Sequence, residues 1–141
     1  MILNCWIVDD EPLALSLLES YVERTPFLCL TGKYSNALSA MKKIAGEKVD
    51  LLFLDIQMPE VNGMEFARII GSHTRIIFTT AFSEYALEGY KVSAIDYLLK
   101  PFSFTDFHTA AKKALTWFEM IDQKPAAEHR QEKAGLFVKS E

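Results

Sequence analysis

The sequence predicts a doubly wound α/β domain, with a five-stranded parallel sheet in the order 2-1-3-4-5 and helices on both faces. Three observations predict it. Short apolar runs alternate with amphipathic stretches as far as residue 121. The runs are nearly continuous in apolar character, as strands buried on both faces are. Each is followed by a stretch of helical spacing, and right-handed crossovers between parallel strands leave few orders open.

Leu3 to Val8 is the first strand, stopped by Asp9 and Asp10. Glu11 and Pro12 open a helix, because proline suits the first helical position and acidic groups suit the positive end of the dipole. Leu13, Leu17, Leu18 and Tyr21 keep helical spacing until Thr25-Pro26 ends it. Phe27 to Tyr34 reads as the second strand. Ser35 or Asn36 caps a helix through Ala45, closed by Gly46. Val49 to Leu54, the most hydrophobic segment, is the third strand and ends at Asp55. A loop with Pro59, Asn62 and Gly63 leads to a helix from Met64 to Ile70. Arg75 to Thr79 is the fourth strand, and Ser83 caps a short helix through Tyr90. Ala94 to Leu99 is the fifth, halted by Lys100-Pro101. Ser103 or Thr105 caps a last helix to Ile121, with Phe104, Phe107, Ala111, Leu115 and Phe118 on its apolar side. Five such units suit the flavodoxin-like strand order. Residues 122–135 turn polar and read as a linker, and residues 136–141 as the opening strand of a further domain cut short.

Composition narrows the function. The 141 residues are 50% hydrophobic and 24% charged, as in an ordinary soluble domain. No apolar run nears the roughly 20 residues a membrane span needs. Met1 to Trp6 lacks the basic start and cleavage site of a signal peptide, so a cytoplasmic location without membrane attachment is expected. The net charge of -4 argues against a nucleic-acid surface on this chain. Cys5 and Cys29 are expected as free, buried thiols.

Ligands of such sheets bind outside the carboxyl ends of the strands, at the switch point between the first and third. Strand one ends in Asp9, Asp10 and Glu11, strand three in Asp55, strand four in Thr79 and Thr80, strand five in Lys100. A lone aspartate at a strand end is usually a cap, a lone Lys100 usually solvated, and a lone Thr80 an ordinary strand residue. Their joint placement at four strand ends carries the argument. Clustered carboxylates beside an apolar sheet are costly, and a hard cation relieves them; Mg²⁺ suits oxygen ligands. A carboxylate beside such an ion, with a lysine and a hydroxyl, is equipped to attack a phosphoryl group.

These residues resemble the receiver domains of response regulators. The resemblance covers about residues 2–121 and rests on Val8-Asp9-Asp10-Glu11-Pro12, Leu54-Asp55-Ile56-Gln57-Met58-Pro59 with Asn62-Gly63-Met64, Thr80-Ala81, and Asp96-Tyr97-Leu98-Leu99-Lys100-Pro101-Phe102. It implies a (βα)5 receiver domain over residues 1–121, with Asp55 as phosphoacceptor. It implies Mg²⁺ held by Asp10 directly, by Asp9 more weakly, by Asp55, and by the backbone carbonyl of Gln57, whose side chain has no part in that. Thr80 and Lys100 would contact phosphoryl oxygens, and the Lys100-Pro101 bond would be cis. Thr80 and Tyr97 would form the switch, Tyr97 turning from exposed to buried. The implied partners are a sensor histidine kinase and, once phosphorylated, a second copy. The phrase Thr79-Thr80-Ala81-Phe82-Ser83-Glu84-Tyr85-Ala86-Leu87, followed by Asp96-Tyr97-Leu98-Leu99-Lys100-Pro101, looks like the LytR/AlgR branch, in which a LytTR-type domain binds DNA, and Phe137-Val138-Lys139-Ser140 looks like the first strand of that domain. Such a chain is a signalling domain that promotes its own phosphorylation and dephosphorylation, not an enzyme acting on an external substrate.

Rival readings fit less well. A haloacid-dehalogenase-like phosphatase needs a second acid where Gln57 stands. A flavodoxin would not place Asp9-Asp10-Glu11 against a flavin phosphate. A binding-only pseudo-receiver would lack at least one of Asp10, Asp55, Thr80 and Lys100. His73, His108 and His129 are expected to be solvated surface residues, and aromatic residues from Tyr85 to Phe118 to be mostly core.

Overall fold

The computed structural model describes residues 1–71, 73–82 and 94–122. The expected helix from Ser83 to Tyr90, with Tyr85 and Tyr90, lies outside them, as do His129 and the segment 136–141.

Five parallel strands form one sheet in the order β2-β1-β3-β4-β5. They are β1 (Leu3–Val8), β2 (Leu28–Tyr34), β3 (Leu51–Asp55), β4 (Arg75–Thr80) and β5 (Asp96–Leu99). The described helices are α1 (Pro12–Glu23), α2 (Ala37–Ile44), α3 (Gly63–Ile69) and α4 (Phe104–Asp122). Most boundaries fall within a residue or two of expectation. The third strand begins later, at Leu51, and reaches Asp55; just before it, the Asp50 carboxylate accepts the backbone N–H of Asn4 at 2.8 Å.

The period of two along each strand sorts side chains between two cores. Leu3, Cys5 and Ile7 of β1 join Leu51 and Phe53 of β3 beneath α1 and α4, where Phe53 stacks on Phe107 at 4.7 Å. Trp6, Val8, Leu52 and Leu54 pack on the other face with α2 and α3. Each fully buried leucine or phenylalanine contributes about 1.5–3 kcal/mol.

Caps fix where the helices begin, and with them the loops above the sheet. Pro12 is the first residue of α1, and Asn36, not Ser35, caps α2 by accepting the N–H of Ser39 at 2.8 Å. Asn62 and Glu65 cap α3 reciprocally, at 3.0 and 3.1 Å. Ser103, not Thr105, caps α4 through a reciprocal pair with Asp106.

Some burial expectations are corrected. Leu13 is 86% and Leu17 39% exposed, because α1 turns Leu18, Tyr21 and Val22 to the core instead. Cys5 is buried, but Cys29 is exposed, since β2 is an edge strand. Burial pushes the Cys5 thiol up, so it stays protonated. His73 is exposed as expected, whereas His108 is half-buried, its ring 5.8 Å from that of Phe27 and 5.7 Å from that of Phe104. Among the described aromatics, Phe102 and Phe107 are core, and half-buried Trp117 lies under the Arg75 guanidinium at 4.5 Å.

Candidate functional site

The chain leaves β1 through Asp9 and Asp10, β3 through Asp55, β4 through Thr80, and β5 one residue before Lys100. Parallel register brings these ends together: Val8 pairs with Leu54, and Asp55 with Thr79. One carboxylate oxygen each from Asp9, Asp10 and Asp55 lie within 4.8 Å of one another. Asp9 and Asp55 are buried and Asp10 is half-buried. Asp9 folds back so that Oδ1 accepts the N–H of Glu11 at 2.9 Å, a side-chain turn that steers the chain into α1.

Lys100 ties the cluster together. Its Nζ lies 2.9 Å from Asp9 Oδ2, 3.1 Å from Glu11 Oε1 and 3.5 Å from Asp55 Oδ1. The peptide bond between Lys100 and Pro101 is cis. Burial alone would lower the lysine pKa, but Asp9, Asp55 and Glu11 outweigh it and hold it above the ordinary value, so the ammonium persists.

Asp55 is pushed up to about 7. Burial is the main cause, followed by the charge of Asp9; the side chain of Asp10 adds to the rise. Lys100 opposes it, as does the N–H of Gln57, which donates to Asp55 Oδ1 at 3.2 Å. Three clustered carboxylates plus Glu11 share one ammonium among the described residues, which leaves the cleft short of positive charge. Its donors are all oxygens, the set that a small hard cation such as Mg²⁺ takes. The residues present therefore fit that ion.

The loop after β3 is held close to the sheet. Ile56 N–H donates to the Thr79 carbonyl at 3.0 Å and Gly63 N–H to the Ile56 carbonyl at 2.9 Å. A Cβ at Gly63 would collide with the backbone of Asp55 and come within 2.9 Å of Ile56 Cα. Glycine there lets α3 start directly against the aspartate. A cleft of about 220 Å³ opens above, lined by Asp10, Glu11, Asp55, Gln57, Phe82 and Lys100.

The Thr80 hydroxyl is bonded to groups other than the Asp55 carboxylate. It donates to Gln57 Oε1 at 3.0 Å and accepts the N–H of Phe82 at 3.0 Å. The Gln57 side chain and the Glu11 carboxylate thus join the site. Sequence reasoning placed Glu11 at the end of the first strand but not its pairing with Lys100, and nothing in the spacing shows that the Gln57 side chain reaches across to β4. Thr79, expected at the cleft, is wholly buried within the sheet. Tyr97 is half-buried here rather than exposed: its ring stacks on Phe78 at 5.4 Å and its hydroxyl oxygen is enclosed. Phe78 supplies the apolar face that holds it there.

Comparison with known proteins agrees with the geometry. Residues 5–112 match the family described as response regulator receiver domain. The chain is 42% identical over 101 residues to a response regulatory protein of Shewanella oneidensis, covering 70% of this chain and 43% of that one. It is 41% identical over 97 residues to the transcriptional regulatory protein BtsR of Escherichia coli, covering 67% and 41%. The chain thus spans less than half the length of these two relatives. Among solved structures, the response regulatory domain of mrkE from Klebsiella pneumoniae superposes with a TM-score of 0.78 at 32% identity, over 83% of this chain and 98% of that one. The TrrA response regulator of Thermotoga maritima, in complex with Mg²⁺ and a beryllium fluoride, gives 0.70 at 31% identity, over 81% and 99%. A match over most of its length, joined to an acidic cleft at the expected strand ends, shows that this chain belongs to the response regulator receiver domain family.

Proposed function

We propose that this chain is the phosphorylatable part of a two-component response regulator, and that Asp55 takes a phosphoryl group from a phosphohistidine of a sensor kinase. The observation that carries this is the position of Lys100 Nζ, 3.5 Å from Asp55 Oδ1 at the edge of a three-carboxylate cluster. An ammonium so placed can pair with an oxygen of a phosphoryl group arriving on Asp55.

In this reading an Asp55 oxygen attacks phosphorus, the P–N bond to the donor imidazole breaks, and the imidazole leaves with the electron pair. Lys100 stays protonated and pairs with one phosphoryl oxygen, while the Thr80 hydroxyl turns to donate to another. Asp9, Asp10, Asp55 and the backbone carbonyl of Gln57 would hold Mg²⁺. When bound, that ion supplies positive charge against the phosphoryl oxygens and favours the ionised acceptor. Hydrolysis of the aspartyl phosphate resets the site, so the chain acts as a switch rather than as an enzyme on an external substrate.

The output belongs to the longer protein. We read residues 1–121 as the receiver and 122–135 as a linker. The relative named as a transcriptional regulator supports a transcriptional output, and residues 136–141 are read as the first strand of a DNA-binding domain of LytTR type, placing the chain in the LytR/AlgR branch. Thr80 and Tyr97 would relay phosphorylation to the face around β5 and α4, through which a phosphorylated homodimer forms. No described helix is long and apolar enough to cross a membrane, which accords with the cytoplasmic location proposed here.

The test is incubation with Mg²⁺ and a small acyl phosphate, followed by intact mass measurement. The wild-type chain should gain one phosphoryl group and the Asp55→Asn chain none. An equal gain in both would overturn the assignment of Asp55.

A further inference from the structure

Thr80 has one proton to donate, and at rest it gives that proton to Gln57. Phe82 N–H already fills an acceptor position on Thr80 Oγ1 at 3.0 Å. The proton then has two acceptors in reach: Gln57 Oε1 at 3.0 Å, and the Phe82 carbonyl at a poorer 3.4 Å. Gln57 Nε2, by contrast, is enclosed and has no hydrogen-bond partner among the described residues. The amide is therefore anchored at its oxygen alone, and Thr80 sets its orientation. The same residue reaches the acceptor from its backbone, N–H to Asp55 Oδ1 at 3.2 Å. Gln57 thus bridges the group that would be phosphorylated and the hydroxyl that would respond, with a hydrogen bond at each end.

We propose that the Gln57 side chain is a latch on Thr80: a positioning residue that competes with the phosphoryl group for the Thr80 hydroxyl and so sets how readily the site passes from resting to phosphorylated form. The proposal rests on the reading of Asp55 as phosphoacceptor and deepens it. For Thr80 to donate to a phosphoryl oxygen, its bond to Gln57 Oε1 must break. The net value of phosphorylation is reduced by that bond, and a side chain of similar length without an acceptor removes the competition. Space filling alone makes no such demand: it would act whether or not position 80 carries a hydroxyl.

The experiment is a calorimetric titration of the chain with beryllium fluoride, a phosphoryl mimic, in saturating Mg²⁺. Gln57→Met should bind about five-fold tighter than wild type, the fold-change of one ordinary hydrogen bond. In a Thr80→Val background, which keeps the shape and removes the hydroxyl, Gln57→Met should change nothing. Equal affinity of wild type and Gln57→Met, or the same gain in the Thr80→Val background, would overturn the latch. A second measurement needs no variant at position 57: the side-chain amide resonances of Gln57 in the ¹⁵N-labelled wild-type chain should shift on addition of the mimic, and unmoved resonances at saturation would also overturn it. If the wild-type chain shows no saturable binding of the mimic, the phosphoacceptor reading falls, and the latch with it.

Discussion

The ammonium of Lys100 stands 3.5 Å from Asp55 Oδ1, near enough to attract the carboxylate yet short of a tight hydrogen bond. It is held more closely by Asp9, at 2.9 Å. Lys100 therefore has a partner that keeps it in place and a second oxygen it can leave for an incoming group. Lys100→Met removes the one influence from a neighbouring side chain that lowers the Asp55 pKa, so that value should rise above about 7. It also leaves Asp9 buried without its cation, at a cost on the order of 3 kcal/mol. Phosphorylation by an acyl phosphate at pH 7 should slow about 100-fold, the scale set by losing one preorganised charge donor. A mass-spectrometric time course measures this, and an unchanged rate would remove Lys100 from the chemistry.

The raised pKa of Asp55 has a consequence for stability. The folded chain keeps a proton on Asp55 up to about pH 7, whereas the unfolded chain releases it near the ordinary carboxyl value of 3.8. The folded state binds more protons across that window, so this group's contribution falls as pH rises from about 4 to 7 and stays low above it. Asp55→Asn removes the titration. The variant should melt higher than wild type at pH 7.5, by on the order of 5 °C, with the gap narrowing as pH falls towards 4. A gap independent of pH would show that Asp55 is not strained by its neighbours.

The fold was legible because its signals are redundant. Val8, Leu54 and Phe78 sit in runs too apolar for anything but buried strands, and Pro12, Asn36 and Ser103 mark helix starts by independent chemistry. The carboxylates and Lys100 were legible because strand ends converge in any parallel sheet. The structure alone could show what lies across a loop. Gln57 follows Asp55 by two residues yet bonds to Thr80, 23 positions on, and that contact depends on how Ile56 and Gly63 tuck the loop against the sheet. The exposure of Leu13 has a related cause: helical spacing identifies a stripe, but which edge of the stripe meets the sheet depends on how α1 is rolled.

Gly63 offers a test of that tucked loop. An added Cβ would meet the Asp55 carbonyl and Ile56 Cα, both backbone atoms that cannot swing away. Gly63→Ala should cost about 1–3 kcal/mol, as overpacking does, and should weaken Mg²⁺ binding because the displaced backbone carries the Asp55 carboxylate with it. Gly46→Ala is the control, since nothing lies within 4 Å of a Cβ there. Denaturant melts with and without Mg²⁺ separate the two effects. A Gly63→Ala chain with wild-type affinity for Mg²⁺ would show that α3 does not position the aspartate.

The last prediction concerns the ion. Asp9, Asp10 and Asp55 each place an oxygen within 4.8 Å of the others, and their repulsion is relieved when a divalent cation sits among them. A ligand that binds only the folded state at 100 times its Kd stabilises by about 2.7 kcal/mol. Mg²⁺ at that excess should therefore raise the wild-type melting temperature by on the order of 5–10 °C at pH 7.5, and EDTA should reverse it. At pH 5.5 the gain should shrink, since the ion must then displace the proton that Asp55 holds up to about pH 7. Asp10→Asn removes one charge from the half-buried member of the cluster and should weaken binding on the order of tenfold. At the same Mg²⁺ concentration the gain then falls to about 1.4 kcal/mol, because stabilisation follows the logarithm of ligand excess. Differential scanning calorimetry of both chains across pH reads all three effects. An Asp10→Asn chain that gained as much as wild type at every pH would mean that the carboxylates of this cleft do not bind the ion together.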